Sequence, residues 1–162
     1  DVRVPITNCL GQEGMGFIYL MSELPQERLS IAIGAQTAAQ RSFDQTVEFV
    51  RERKAFGKPI LDFQNTRFVL ADLKTKLQVG WAHIDWALAR HMKKELTPEE
   101  ASAAKLWHTE LQGEVVDKCL QLHGGAGFMN EYPIAKQFRG ARVTRIFGGT
   151  SEIMKELIGR KL

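Results

Sequence analysis

Apolar residues recur every three or four positions along Leu29, Ala32, Ile33, Ala35, Ala39, Phe43, Val47 and Val50, the period of one helical face. The stripe predicts a long amphipathic helix that opens at Pro25 and runs to about Lys54, since a proline has no N–H to lose in a first turn. A short helix over Phe17–Leu24 is predicted before it. Gly57 and Pro59 then interrupt the pattern, and FGKPILDFQ reads as a loop whose Asp62 can cap the next helix. From Asn65 to about Lys94, the set Leu70, Leu73, Leu77, Trp81, Ile84, Leu88 and His91 keeps near-heptad spacing, which implies a seam packed along a neighbour.

Thr97-Pro98-Glu99-Glu100 combines an N-cap hydroxyl, a proline at the first helical position and a glutamate that can reach back to the cap. The helix it opens carries Ala101, Ala104, Leu111, Val115, Cys119 and Leu122 on one face and stops at His123-Gly124-Gly125. A shorter helix follows over Glu131–Ala141, and a last one starts at Thr150 with Glu152 in its first turn. Only DVRVPITNCLGQEGMGF, at the start, mixes β-formers with proline and glycine, as an extended tail entering a loop would. The sum predicts an all-α protein, an up-and-down helical bundle.

Composition narrows this picture. A length of 162 residues, with 44% hydrophobic and 25% charged, suits one globular domain. The formal charge of +3 is too small an excess to imply nucleic-acid binding. Cys9 and Cys119 lie far apart with no C-x-x-C, so neither a zinc site nor a disulfide framework is indicated, and a reducing, intracellular setting is expected. Neither an apolar run of membrane-spanning length nor a signal-peptide pattern is present. The opening on Asp1 instead of Met suggests a processed chain or a piece of a longer one.

None of His83, His91, His108 and His123 has a carboxylate three residues before it, as a di-iron bundle requires. His108-Thr109-Glu110 lacks the P-C-x-x-C that would complete a deaminase zinc site, so no metal is expected. His83 and His108 read instead as satisfied or surface histidines. GQEGMG and HGGAG follow no strand in G-x-G-x-x-G order, and turns account for their glycines. Lys136, Arg139, Arg142 and Arg145 form a basic strip that reads as a solvated helix face. Arg53 sits at a helix C-terminus, where a cation complements the macrodipole.

Four strings go further: Arg53-Lys54-Ala55-Phe56-Gly57 with Phe63-Gln64; Gln121-Leu122-His123-Gly124-Gly125-Ala126-Gly127-Phe128; Glu131-Tyr132-Pro133; and Ile146-Phe147-Gly148-Gly149-Thr150-Ser151-Glu152-Ile153. In this order they resemble the C-terminal helical domain of flavin-dependent acyl-CoA dehydrogenases, and the likeness covers nearly the whole chain. It implies that residues 1–16 are the end of a β-domain and a linker, and that 17–162 are the C-terminal bundle. The implied reaction is oxidation of an acyl-CoA to the trans-2-enoyl-CoA, a carboxylate taking the α-proton while FAD accepts the β-hydride. Electrons would pass to an electron-transfer flavoprotein.

The same likeness assigns residues. Arg53, with Phe56 and Gln64, would serve the FAD pyrophosphate of an adjacent subunit; Gln121, Leu122, Gly124 and Gly125 would meet the adenine-side part of the cofactor, and Thr150 and Ser151 would also touch FAD. Arg28 and Gly149 would meet the substrate. Most of the family carries its base in Tyr-Glu-Gly-Thr, where this chain has Phe147-Gly148-Gly149-Thr150. A long-chain and isovaleryl-type minority places the base on the earlier helix, and Leu24-Pro25-Gln26-Glu27-Arg28-Leu29 looks like that version. Glu27 is the implied base; without the likeness it reads as an acidic residue in a first helical turn. A homo-oligomer, a tetramer in the full-length protein, is implied, in the cytoplasm of a bacterium or the mitochondrial matrix of a eukaryote. Two other readings fit the helices: a non-enzymatic module that docks a partner helix, and a fold relative with altered flavin chemistry.

Overall fold

A computed structural model describes residues 1–162. The chain forms α1 (Gly16–Glu52), a two-stranded hairpin of β1 (Lys54–Ala55) and β2 (Lys58–Pro59), α2 (Gln64–Met92), α3 (Pro98–His123), α4 (Pro133–Thr144) and α5 (Ser151–Gly159), with single 3₁₀ turns at Ile6–Asn8, Ile60–Asp62 and Gly124–Phe128. Helix α3 lies at the centre, packed most extensively on α1 and also on α2, α4 and α5. Its start matches the sequence pattern: the Thr97 hydroxyl accepts from the Glu100 amide at 3.2 Å and the Glu100 carboxylate accepts from the Thr97 amide at 2.9 Å. Leu70, Leu73, Leu77, Phe43, Val50, Leu111, Val115 and Cys119 close the main core.

The structure corrects several boundaries. Phe17–Leu24 and the helix expected from Pro25 are one continuous helix, with Pro25 inside it. The turn before the proline is exposed, so water can serve the carbonyl that loses its donor there. The segment read as loop contains the hairpin, paired Lys54 with Pro59 and Ala55 with Lys58. Phe63, not Asp62, is the N-cap of α2. Leu88 is exposed and Ala87 buried, because α2 follows the 3.6-residue period of a straight helix and drifts off the strict heptad. The opening segment contains no strand.

Candidate active site

Glu27, Arg28 and the loop between α4 and α5 meet at one end of the bundle. Gly148 and Gly149 have φ of 65° and 104°, conformations that glycine adopts without a Cβ penalty. Arg28 is buried; its Nε donates to the Gly148 carbonyl at 3.3 Å and its Nη1 to Ser102 Oγ at 3.3 Å. Lys105 Nζ donates to the Gly149 carbonyl at 2.6 Å. Ser151 Oγ donates to Glu110 Oε1 at 2.7 Å, and Arg145 pairs with the other Glu110 oxygen at 3.2 Å. Thr150 caps α5 through its hydroxyl. The amides of Gly148, Gly149 and Thr150 have no partner within the chain.

Glu27 is exposed and lines a cleft of about 410 Å³ with Glu23, Gln26, Ser30 and Ile31. It stands about three turns inside α1, so the charge of the helix N-terminus does not reach it and the first-turn reading fails. A Cβ built on Gly148 would lie 2.5 Å from Ile31 Cδ1 and meet no other side chain. Ile31 follows Glu27 by one helical turn, so the glycine loop and the Glu27 cleft are neighbours.

The second group of residues lies at the other end of α1. Phe49 stacks on His123 with ring centroids 4.1 Å apart, and Tyr132 meets both rings edge-on. That contact brings Arg53, at the C-cap of α1, to the same end of the bundle as Gln121–Gly125. Arg53 and Gln64 are exposed, and Arg53 is in no ion pair. Phe56 is 96% exposed with φ of 51°, and Gly57 follows at 81°, the pair of positive φ values of a type I′ hairpin turn. A Cβ on Gly124 or Gly125 would meet nothing within 4 Å, which leaves their backbone open to close approach. Leu122 is half-buried and Gln121 exposed. A free cation, an exposed aromatic ring and open glycine backbone fit a dinucleotide. A wider groove of about 930 Å³ between α3 and α4 holds none of the candidate catalytic or substrate residues.

Arg28 and Arg53 are 25 residues apart on one helix, about 37 Å at 1.5 Å per residue. The structure therefore unites the assigned residues into two groups, not one.

Several side chains around this site escaped the sequence reading. Lys105 and His108 are fully buried. The apolar stripe of α3 skips from Ala104 to Leu111, and Lys105 and His108 fill that gap at helical spacing. The interrupted period was the available signal. His108, expected to be satisfied or at the surface, has Nδ1 3.0 Å from Gln36 Oε1 and no partner for Nε2. Burial and the stacked His83, 5.2 Å away, push its pKa down to about 3. Arg145 departs from the solvated strip through its pairing with Glu110, while Lys136, Arg139 and Arg142 are exposed. Nowhere do three His, Cys, Asp or Glu side chains converge on a point that could hold a metal ion, and no helix is long and apolar enough to cross a membrane.

Residues 14–162 match the family model "Acyl-CoA dehydrogenase, C-terminal domain". The chain belongs to that family. It is similar to the long-chain specific acyl-CoA dehydrogenase, mitochondrial, of Rattus norvegicus, 52% identical over all of this chain and 38% of the relative. Among solved structures it resembles an acyl-CoA dehydrogenase from Geobacillus kaustophilus at a TM-score of 0.94 and 45% identity, covering 98% of this chain and 42% of that one. A glutaryl-CoA dehydrogenase from Mycobacterium smegmatis, solved in complex with FADH2, matches at a TM-score of 0.82 and 27% identity over 85% of this chain and 36% of its own. The chain spans about two fifths of the length of these proteins.

Proposed function

We propose that this chain is the C-terminal part of a full-length flavoprotein that oxidises an acyl-CoA thioester to the trans-2-enoyl-CoA, with residues 1–16 joining it to a preceding β-domain. The observation that carries the proposal is the contact between the Gly148 loop and the Glu27 cleft, where a side chain built on Gly148 would touch Ile31, one turn from Glu27. A carboxylate based on either element reaches the same space, so Glu27 stands in for the base that Gly148 cannot supply.

In this reading Glu27 accepts the α-proton. Arg28, through the Gly148 carbonyl, and the unpartnered amide of Gly149 orient the thioester. FAD, when bound, supplies the two-electron acceptor for the β-hydride. Arg53 holds the cofactor pyrophosphate through its guanidinium, while Phe56, Gln64 and Gln121–Gly125 complete that half of its site. Thr150 and Ser151 hold the other half; Glu110 fixes the Ser151 hydroxyl. Arg53 lies at the far end of α1 from Arg28, which holds the Gly148 carbonyl beside Thr150 and Ser151, and this division supports a site completed by a second copy in a homotetramer. Reoxidation by an electron-transfer flavoprotein follows from the family likeness, as does a mitochondrial location for a eukaryotic bearer, in line with the rat relative.

The test is anaerobic mixing of the full-length holoprotein with saturated acyl-CoA. Bleaching of the flavin with stoichiometric 2-enoyl-CoA is the expected result. A flavin that stays oxidised with acyl-CoAs of every chain length tried refutes the proposal.

A further inference from the structure

We propose that Lys105 is a positioning residue of this reaction, its buried ammonium fixing the Gly148–Gly149 loop by holding the Gly149 carbonyl. The inference rests on the dehydrogenase reading above.

Lys105 sits in the middle of α3 with no exposed surface. An ammonium has three donors, and only one is used, toward Gly149 at 2.6 Å. No carboxylate forms an ion pair with it. Burial first, and then the nearby Arg28, disfavour its charge and outweigh the opposing pull of the Glu110 carboxylate, so that its pKa is lowered. A methionine of similar length would fill this space without that penalty, and replacing buried charge by apolar groups is often neutral or stabilising. Stability alone therefore gives no reason for a lysine here.

The loop that it holds does give one. Gly148 and Gly149 are the most permissive residues for backbone motion, and each is held at positive φ. Their carbonyls are successive acceptors, the first tied to Arg28 and the second to Lys105. With both carbonyls turned inward to buried cations, the amides of Gly148, Gly149 and Thr150 are left free beside the Glu27 cleft. Arg28 alone anchors one peptide; Lys105 is needed to fix the next. Alignment at this scale acts on turnover, whereas affinity for an acyl-CoA comes largely from parts of the ligand remote from the reacting carbon.

The experiment uses full-length holoprotein with Lys105→Met, read by steady-state kinetics, flavin content, thermal unfolding and hydrogen exchange. The expected result is kcat lower by roughly ten- to a hundredfold, KM within about threefold, and flavin content and Tm close to wild type. Exchange at the Ser151 amide, which spans the loop to the Arg145 carbonyl at 3.2 Å, rises at least several-fold while exchange in α2 is unchanged. An unchanged kcat and unchanged exchange overturn the proposal, as does a rise in KM at constant kcat. Should Lys105→Met not fold, Lys105→Gln is read in the same way; failure of both to fold makes Lys105 a core residue and overturns it too. If the wild type oxidises no acyl-CoA, the dehydrogenase reading falls, while the exchange data still decide whether Lys105 holds the loop.

Discussion

Replacing Glu27 by Gln keeps the size of the side chain and removes only its capacity to accept a proton. A positioned general base contributes on the order of 10²–10⁴ in rate, about 2.7–5.4 kcal/mol of barrier, and Glu27→Gln should cost that in kcat while acyl-CoA still binds. The structure also sets what a second substitution can recover. At Gly148 the φ of 65° lies in the left-handed region, where a residue with a Cβ costs roughly 1–2 kcal/mol. The one obstacle in space is the terminal methyl of Ile31, the flexible end of a side chain. Adding Gly148→Glu to Glu27→Gln should therefore return about ten- to a hundredfold of the lost rate, the remainder being strain and imperfect aim. The assay is single-turnover flavin reduction in the full-length protein, which isolates chemistry from product release. A Glu27→Gln enzyme that reduces its flavin at close to the wild-type rate would show that the base lies elsewhere and would favour altered flavin chemistry.

Gly80→Ala should destabilise the fold by up to about 2 kcal/mol net, the cost of about 1–3 kcal/mol for a disrupted buried hydrogen bond outweighing a helix-propensity gain of about 1 kcal/mol. Its Cβ would collide with the Gln36 amide, which donates to the Leu77 carbonyl at 2.9 Å and faces His108, and a raised Tm would refute this. Because His108 is held neutral, with its pKa lowered from 6.5 to about 3, the unfolded chain binds the extra proton in that window. Stability should fall by up to about 1.4 kcal/mol per pH unit as pH drops below 6.5, and urea titrations between pH 7 and 5 should show a shallower slope in His108→Gln. Arg53→Ala should weaken flavin retention in the full-length protein more than thermal stability; a stability loss above about 1 kcal/mol with flavin content unchanged would instead make Arg53 a macrodipole partner.

How legible the chain was depends on what each residue's role rests on. Periodicity exposed α1, α2 and α3, because burial of one helical face leaves a regular mark, and the Thr97 capping box is written in four adjacent residues. Pro25 misled because proline is better tolerated at a helix start than inside one, and nothing local says that an exposed turn precedes it. The hairpin at Phe56-Gly57 was hidden by its length, two residues per strand. For the site, the glycines were visible but not their partners. Contacts from Arg28 to Gly148 and from Lys105 to Gly149 join residues 120 and 44 positions apart, and no spacing rule reaches that far. The proximity of Glu27 to Gly148 likewise follows from packing of the α4–α5 loop on α1, so only the family likeness pointed to it.

The two-ended layout of α1 has a thermodynamic consequence. If Arg53 of one copy and Thr150 of another hold the same cofactor, the cofactor binds the assembly more tightly than the separate chain, and by linkage it must stabilise the assembly by the same factor. Each chain then contributes to two sites at once, through Glu27 and the glycine loop at one end and through the Phe56 hairpin and Gly124–Gly125 at the other. Symmetry pairs these halves without any additional contact, because a closed arrangement that offers one end of α1 to a neighbour also receives that neighbour's other end. The exposed ring of Phe56 and the open backbone at Gly125, which contribute little to the stability of a lone chain, acquire a use in such an arrangement. The type I′ turn that sets the left-handed φ at Phe56 is also what projects its ring away from the bundle, where a neighbour's cofactor can meet it.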